Sequence, residues 1–386
     1  MSHSFRSAAL LAALTMCVPH MAGAQRAQLP SPVELRVPKP PSVAAGDGGA
    51  FLVYELHVTN LSPSPLTLRR VEVLSESTAA ENGRVLLALE DSALVRTLSR
   101  PGVSPPPPPA DRPRLGGGLR AVVFLWVPVD RGAPPAAVRH RLTLALGSGD
   151  SVRTEVAKGT AVGVTRDLAV IGPPLRGDGW LAGNGPDSMA GHRRALITVE
   201  GTAAIAQRFA IDFVKLDSAG RTFTGDRAKN ENYYAHGVEA LAVDSGVVAA
   251  TKDGIPENAP GLTSRAVPIT LETVGGNHVI VDVGRGHYAF YAHLQPGSLR
   301  VRPGDRVRRG QVLGLVGNSG NSTEPHLHFH LSDAPSPLGS EGIPYALEAF
   351  ELIGRCNRFF AECKRTAPET HRREIPMGSM IVRFPE

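Results

Sequence analysis

The sequence predicts a mostly β chain of two modules, an immunoglobulin-like β-sandwich followed by an antiparallel β-sheet domain. Three observations carry this expectation. Short apolar and β-branched runs alternate with turn-forming clusters along most of the 386 residues. Gly (41) and Pro (33) are plentiful while aromatics make up 5%, a balance that favours short strands and tight turns over long helices. The histidines are unevenly spread, with eight of the thirteen between residues 190 and 332, so the chemistry is expected in the second module. The length suits two domains, and 42% hydrophobic with 20% charged residues is the composition of a folded chain.

Residues 1–24 read as a signal peptide. Arg6 gives a positive start, Ala8 to Val18 form a short apolar run, and Ala22-Gly23-Ala24 supplies the small-x-small cleavage pattern. Cleavage after Ala24 would release a secreted or periplasmic protein. The apolar run falls short of the roughly 20 residues needed to cross a bilayer. Leu119 to Val129 is also too short and is interrupted by Pro128, so no membrane span is expected. Cys17 follows Met16, where a lipid-attachment signal would carry a small residue. Without Cys17 only Cys356 and Cys363 remain, a pair expected either to bridge or to stay as two buried thiols, and too few to build a zinc site. The net charge of +5 and pI near 9.3 suit an anionic cell envelope. No Lys/Arg run interleaved with aromatics occurs, so nucleic acid is not an expected partner.

Residues 25–165 are assigned to the β-sandwich accessory module. Phe51 to Val58, Leu66 to Val73, Val85 to Leu89, Leu119 to Val127 and Arg141 to Leu146 are its strand candidates. The five prolines Pro105 to Pro109 cannot join a sheet ladder and predict a surface loop, as do Gly116 to Gly118. Residues 166–340 form the second module. Residues 341–386 read as a tail, with a short helix over Tyr345 to Ile353 followed by the cysteine pair.

The clearest chemical signal is Pro325-His326-Leu327-His328-Phe329-His330. Alternate side chains of a strand share a face, so His326 and His328 point together while Leu327 and Phe329 pack inward. Two imidazoles at that spacing can divide labour, one binding a metal and the other moving protons, although a plain polar strand face has the same pattern. Upstream lie Gly276-Asn277-His278, Tyr291-Ala-His293-Leu294, and Gly304-Asp305-Arg-Val-Arg-Arg-Gly310-Gln311. Gly237 to Val248 adds a further glycine-bounded strand pattern.

In this order and spacing, residues 190 to 332 resemble the lysostaphin-like zinc endopeptidases of bacterial cell walls, with their duplicated hybrid motif fold. The resemblance implies Zn2+ as cofactor, peptide cross-links of peptidoglycan as substrate, His328 as a metal ligand, and His293 and His326 as catalytic histidines. It also implies a His-x-x-x-Asp element ahead of Gly237. The matching segment is Arg208-Phe209-Ala210-Ile211-Asp212, in which Asp212 fits the carboxylate ligand and Arg208 stands where the family has histidine. A guanidinium offers no lone pair to a metal. The connection 213 to 236 is also longer than is usual for the family.

Two outcomes are open. Another histidine fills the vacancy: His192 is preferred, because Arg194 to Ile205 reads as a hairpin turning near Gly201 that returns the chain beside residues 207–209, and His236 is the second candidate. Otherwise the site is degenerate, and the protein binds cell wall or an envelope partner and regulates another hydrolase. His278, His287 and His330 are expected at the surface or at strand ends. A lipoyl-like carrier reading of Gly304 to Gly317 fails for want of a lysine at a hairpin tip.

Overall fold

The computed structural model describes residues 31–76, 83–147, 151–357 and 362–386. The proposed signal peptide, with Cys17, lies outside them. The described residues are mostly β and mostly antiparallel, as the sequence predicts.

Two facing sheets form the N-terminal part. One pairs Gly49–Asn60 with Val33–Arg36, Ser42–Gly46 and Arg120–Val129, and the last of these with Leu98–Ser99. The other is built around Leu66–Ser75 and Ala137–Leu146. Leu52, Tyr54, Leu56, Val123 and Leu125 of the first sheet meet Leu68, Val71 and Leu144 of the second in a continuous core. All five predicted strands are present, and Pro105 to Pro108 run as exposed or half-exposed chain into a 3-10 turn at Pro109–Asp111.

The outward face of Gly49–Asn60 is buried too. Val53, Glu55 and His57 alternate with the core residues yet are 1%, 3% and 6% exposed. Val122 and Phe124 on the neighbouring strand behave likewise, packing with Ile205 and Leu196. The first sheet is therefore a middle layer, covered on one side by its partner sheet and on the other by residues beyond 190.

The third sheet has 11 strands among the described residues. At its centre Ile211–Lys215, Leu327–Ser332, Tyr288–Leu294 and Asn277–Asp282 lie side by side, all antiparallel. Trp180, Phe213, Tyr291, Phe329 and Tyr345 fill its core.

The C-terminal segment differs from expectation. Tyr345 to Ile353 is not a helix but part of the strand Tyr345–Cys356. Its Ala, Leu and Glu residues favour helix in isolation, but tertiary pairing overrides that preference. The strand is held by Cys363–Glu374 on one side, by Met380–Phe384 on the other, and by a short parallel pairing to Ala169–Ile171. Cys356 and Cys363 face each other in register and are disulfide-bonded. No helix among the described residues is long and apolar enough to cross a membrane.

Candidate metal centre

Three neighbouring strands set up the site. Asp212 pairs directly with His328 across Ile211–Lys215 and Leu327–Ser332, and His328 pairs with Ala292 on the far side. This register places a carboxylate and an imidazole on one face, and His328 Nδ1 lies 2.9 Å from Asp212 Oδ1. The alternation of Leu327–Ser332 puts His326, His328 and His330 on that face while Leu327 and Phe329 enter the core.

The third member arrives from a separate segment. Ile197–Val199 and Thr202–Ala204 form the anticipated hairpin, with Glu200 and Gly201 both at positive φ, the geometry of a tight two-residue turn. The 3-10 turn His192–Arg194 that leads into it places His192 Nε2 3.5 Å from Asp212 Oδ2. The His192 ring lies edge-on to His328 at 4.9 Å. Ligand-type atoms of His192, Asp212 and His328 all lie within 4.8 Å of one another. His236 is elsewhere, its Nε2 3.2 Å from Glu257 and 3.0 Å from Gln295.

His293 and His326 flank this cluster, their ring centroids 4.9 Å apart. His326 Nδ1 donates to the Glu324 carbonyl at 2.8 Å, and its Nε2 is 3.4 Å from Asp212 Oδ1. His293 Nδ1 donates to the Ser319 carbonyl at 2.8 Å. His293 itself has a φ of 64°, a left-handed conformation that a non-glycine residue holds only when its surroundings enforce it. The surroundings are the Gly276-Asn277 pair. Gly276 packs so tightly that a Cβ would come 2.4 Å from the Ser319 carbonyl oxygen, and buried Asn277 donates to the Leu294 carbonyl.

His330 departs from the surface or strand-end placement expected of it, whereas His278 lies at the start of its strand, Asn277–Asp282. His330 is fully buried, because strand alternation continues past His328, and its Nδ1 lies 3.0 Å from His328 Nε2. The pairing lets His328 donate through Nε2 and keeps its Nδ1 toward Asp212, the arrangement typical of a supporting partner behind a ligand. His278 is also buried, its Nδ1 held by the Gly276 carbonyl. His287 lies 3.4 Å from Asp167. Asn184, which no motif flagged, donates to Asp212 Oδ2 at 2.9 Å.

The electrostatics follow from burial and imidazole crowding. Burial alone would raise the Asp212 carboxyl, but His192, His326 and His328 outweigh it and hold the group well below the usual carboxylate range. Burial, helped by the neighbouring imidazoles His326 and His328, pushes His293 well below the ordinary histidine value. Burial also lowers His328 and His330. His326 alone is raised, because Asp212 overcomes the burial penalty.

This donor set fits a zinc ion. Two imidazoles and one carboxylate are a common three-ligand arrangement that keeps a fourth position open. Among the described residues no Lys or Arg pairs with Asp212, so this partly buried carboxylate has only imidazoles and Asn184 as partners, an arrangement a cation would complete. Arg208 takes no part: it points away, to Glu55, Glu341 and the Gly342 carbonyl. A cleft of about 290 Å³, lined by Asn184, His192, Asp212, Arg265, His293 and His326 among others, opens over the cluster.

Comparison with known proteins gives a consistent picture. Residues 233–339 match peptidase family M23, a span that includes His293, His326 and His328 and begins after His192 and Asp212. The chain is 43% identical over 65 residues to the peptidoglycan DD-endopeptidase ShyA of Vibrio cholerae, covering 17% of this chain and 15% of that protein. It is 45% identical over 56 residues to the glycyl-glycine endopeptidase ALE-1 of Staphylococcus capitis, covering 14% and 15%. With the endolysin 2638A of Staphylococcus phage 2638A it shares 33% identity over 137 residues, covering 32% and 28%. The matched part thus spans less than a third of each relative.

Proposed function

We propose that this chain, whose residues 233–339 match peptidase family M23, is an exported zinc metalloendopeptidase that cuts peptide bonds in peptidoglycan cross-links. The observation that carries the reading is the convergence of His192, Asp212 and His328 beside two further histidines in one cleft. The activities for which ShyA and ALE-1 are named, peptidoglycan DD-endopeptidase and glycyl-glycine endopeptidase, support the substrate class. Export is supported by the pattern of residues 1–24 and by a disulfide suited to an oxidising compartment.

His192, Asp212 and His328 would hold the zinc, which when bound polarises the scissile carbonyl and makes a water nucleophilic near neutral pH. The remaining steps belong to the chain. His293 commits its Nδ1 proton to the Ser319 carbonyl, so its neutral ring keeps a lone pair on Nε2 and is suited to accept a proton from the attacking water. His326, which Asp212 biases toward the protonated form, is suited to donate to the oxyanion that develops on the carbonyl and then to the leaving amine. His330 fixes the ring of His328, and Asn184 fixes the carboxylate of Asp212.

Metal analysis of the purified protein beside a peptidoglycan digestion assay tests this reading. One zinc per chain with release of soluble fragments is expected. Stoichiometric zinc without cleavage of any wall type would instead favour a wall-binding regulator, and absence of zinc would overturn both the cofactor and the mechanism.

A further inference from the structure

His192 sits in a three-residue 3-10 turn whose internal bonds are few: Arg194 N–H to the Gly191 carbonyl and Ala195 N–H to the His192 carbonyl. So short a turn does not fix the position of an imidazole ligand by itself, since 3-10 hydrogen bonds are poorly aligned and isolated turns are marginal. What immobilises it is the next residue. The Arg193 side chain is 0% exposed and enters the first sheet of the N-terminal sandwich. Its Nη2 donates to the carbonyls of Tyr54 and Leu125, two residues directly paired across that sheet. Its guanidinium carbon lies 5.6 Å from the ring centroids of both Phe124 and Trp126. Glu55 stands 3.8 Å away.

The same Glu55 receives Arg208 at 2.8 Å, four residues before Asp212. One carboxylate on the sandwich therefore ties down the segments that carry His192 and Asp212. The following hairpin is seated on the same sheet, with Leu196 and Ile205 packed on Val122 and Phe124.

This plug is expensive. Nε and Nη1 of Arg193 are buried without a hydrogen-bond partner, and burial, partly offset by Glu55, lowers the group to about 10. A buried arginine with unsatisfied donors is a poor way to gain stability, because an apolar side chain of similar length would serve as well or better. It is an effective way to specify one position for the turn.

We propose that Arg193 is a positioning residue for the metal centre, and that the sandwich, through Tyr54, Leu125 and Glu55, is the scaffold that presents His192 to Asp212 and His328. The proposal rests on the reading of His192 as a ligand. It also gives Arg208 a role: the side chain that cannot bind metal anchors the Asp212 segment to the scaffold, while the ligand comes from the neighbouring anchored turn.

Arg193→Met is the variant of choice, since it keeps apolar contact with Phe124 and Trp126 and leaves Glu55 paired with Arg208. In the full-length protein, zinc affinity is measured by chelator competition for wild type, Arg193→Met, His192→Ala and the double variant. The visible spectrum of the cobalt-substituted protein reports the coordination of the metal. Ile353→Ala, in the separate apolar cluster with Leu181, Leu216 and Ile381, controls for general destabilisation. Arg193→Met is expected to weaken zinc binding about 10- to 100-fold. It should alter the cobalt spectrum in the direction of His192→Ala and add nothing in the His192→Ala background. Ile353→Ala should lower the melting temperature and leave affinity and spectrum unchanged. If His192→Ala binds zinc as tightly as wild type, the ligand reading itself fails. If His192→Ala weakens binding while Arg193→Met does not, or if Arg193→Met weakens binding equally in both backgrounds, the positioning role alone is overturned.

Discussion

At the scale of single residues, the proposed site leaves out Arg208, the arginine four positions before Asp212, which pairs with Glu55 and Glu341 instead. Arg208 has no lone pair to offer, and burial costs it nothing in protonation because Glu55 and Glu341 more than compensate. His192, from another segment, comes within 3.5 Å of Asp212 instead. Two classes of variant should separate. His328→Ala and Asp212→Ala are expected to abolish stoichiometric zinc, read by elemental analysis. His326→Ala and His293→Ala should retain the metal and lose about 10²–10⁴-fold in kcat on a peptidoglycan substrate. Loss of zinc in the second pair would move those histidines from proton transfer to ligation. Much of this was legible in the sequence, since the two-residue period of a strand alone places His326, His328 and His330 on one face. Burial of His330 is a consequence of the same period carried one step further. Arg193 was not legible, because its partners are backbone carbonyls more than sixty residues away and leave no local pattern.

At the scale of elements, local signals and tertiary pairing decide different cases. The hairpin after His192 was readable from Glu200-Gly201, where glycine supplies the left-handed turn, and that turn determines which way the chain returns. The strand Tyr345–Cys356 was not readable, since its helix-favouring residues are recruited by strands on both sides. The Gly-Asn motif at 276–277 has a physical role in holding the strand end that carries His293. Gly276→Ala would place a Cβ against the Ser319 carbonyl at a φ of 59°. It is expected to cost about 1–3 kcal/mol of stability by denaturant titration and to lower kcat with zinc content unchanged. Wild-type activity in this variant would mean that the backbone there adapts and that the clamp on His293 is dispensable.

At the scale of the molecule, the first sheet of the sandwich is buried on both faces, so the N-terminal part and the part bearing the histidines are not separable layers. The alternation in Phe51 to Val58 announced a strand but not this arrangement, because Glu55 and His57 resemble an ordinary solvent face until Arg208 and Arg193 are seen against Glu55. Acid stability should reflect a group deep in the sandwich. His140 is buried with Nε2 3.0 Å from the Tyr54 hydroxyl, and burial lowers it from 6.5 to about 4. The folded chain therefore resists a proton that the unfolded chain accepts. Its stability is undiminished by this residue above about pH 6.5 and falls between there and pH 4, by about 3 kcal/mol in all. His140→Gln keeps an acceptor for the Tyr54 hydroxyl but cannot titrate, so its melting temperature should fall less than that of wild type between pH 7.5 and 4.5. Parallel curves would exclude His140 as a source of the acid sensitivity.

Among the described residues His192, Asp212 and His328 come together, and anomalous X-ray diffraction recorded at the zinc edge from crystals of the zinc-loaded protein tests the proposed cation site directly. The account predicts one strong peak per chain within roughly 2.0–2.2 Å of ligand atoms from His192, Asp212 and His328 together. A peak coordinated without His192, or no peak beside Asp212 and His328, would contradict it.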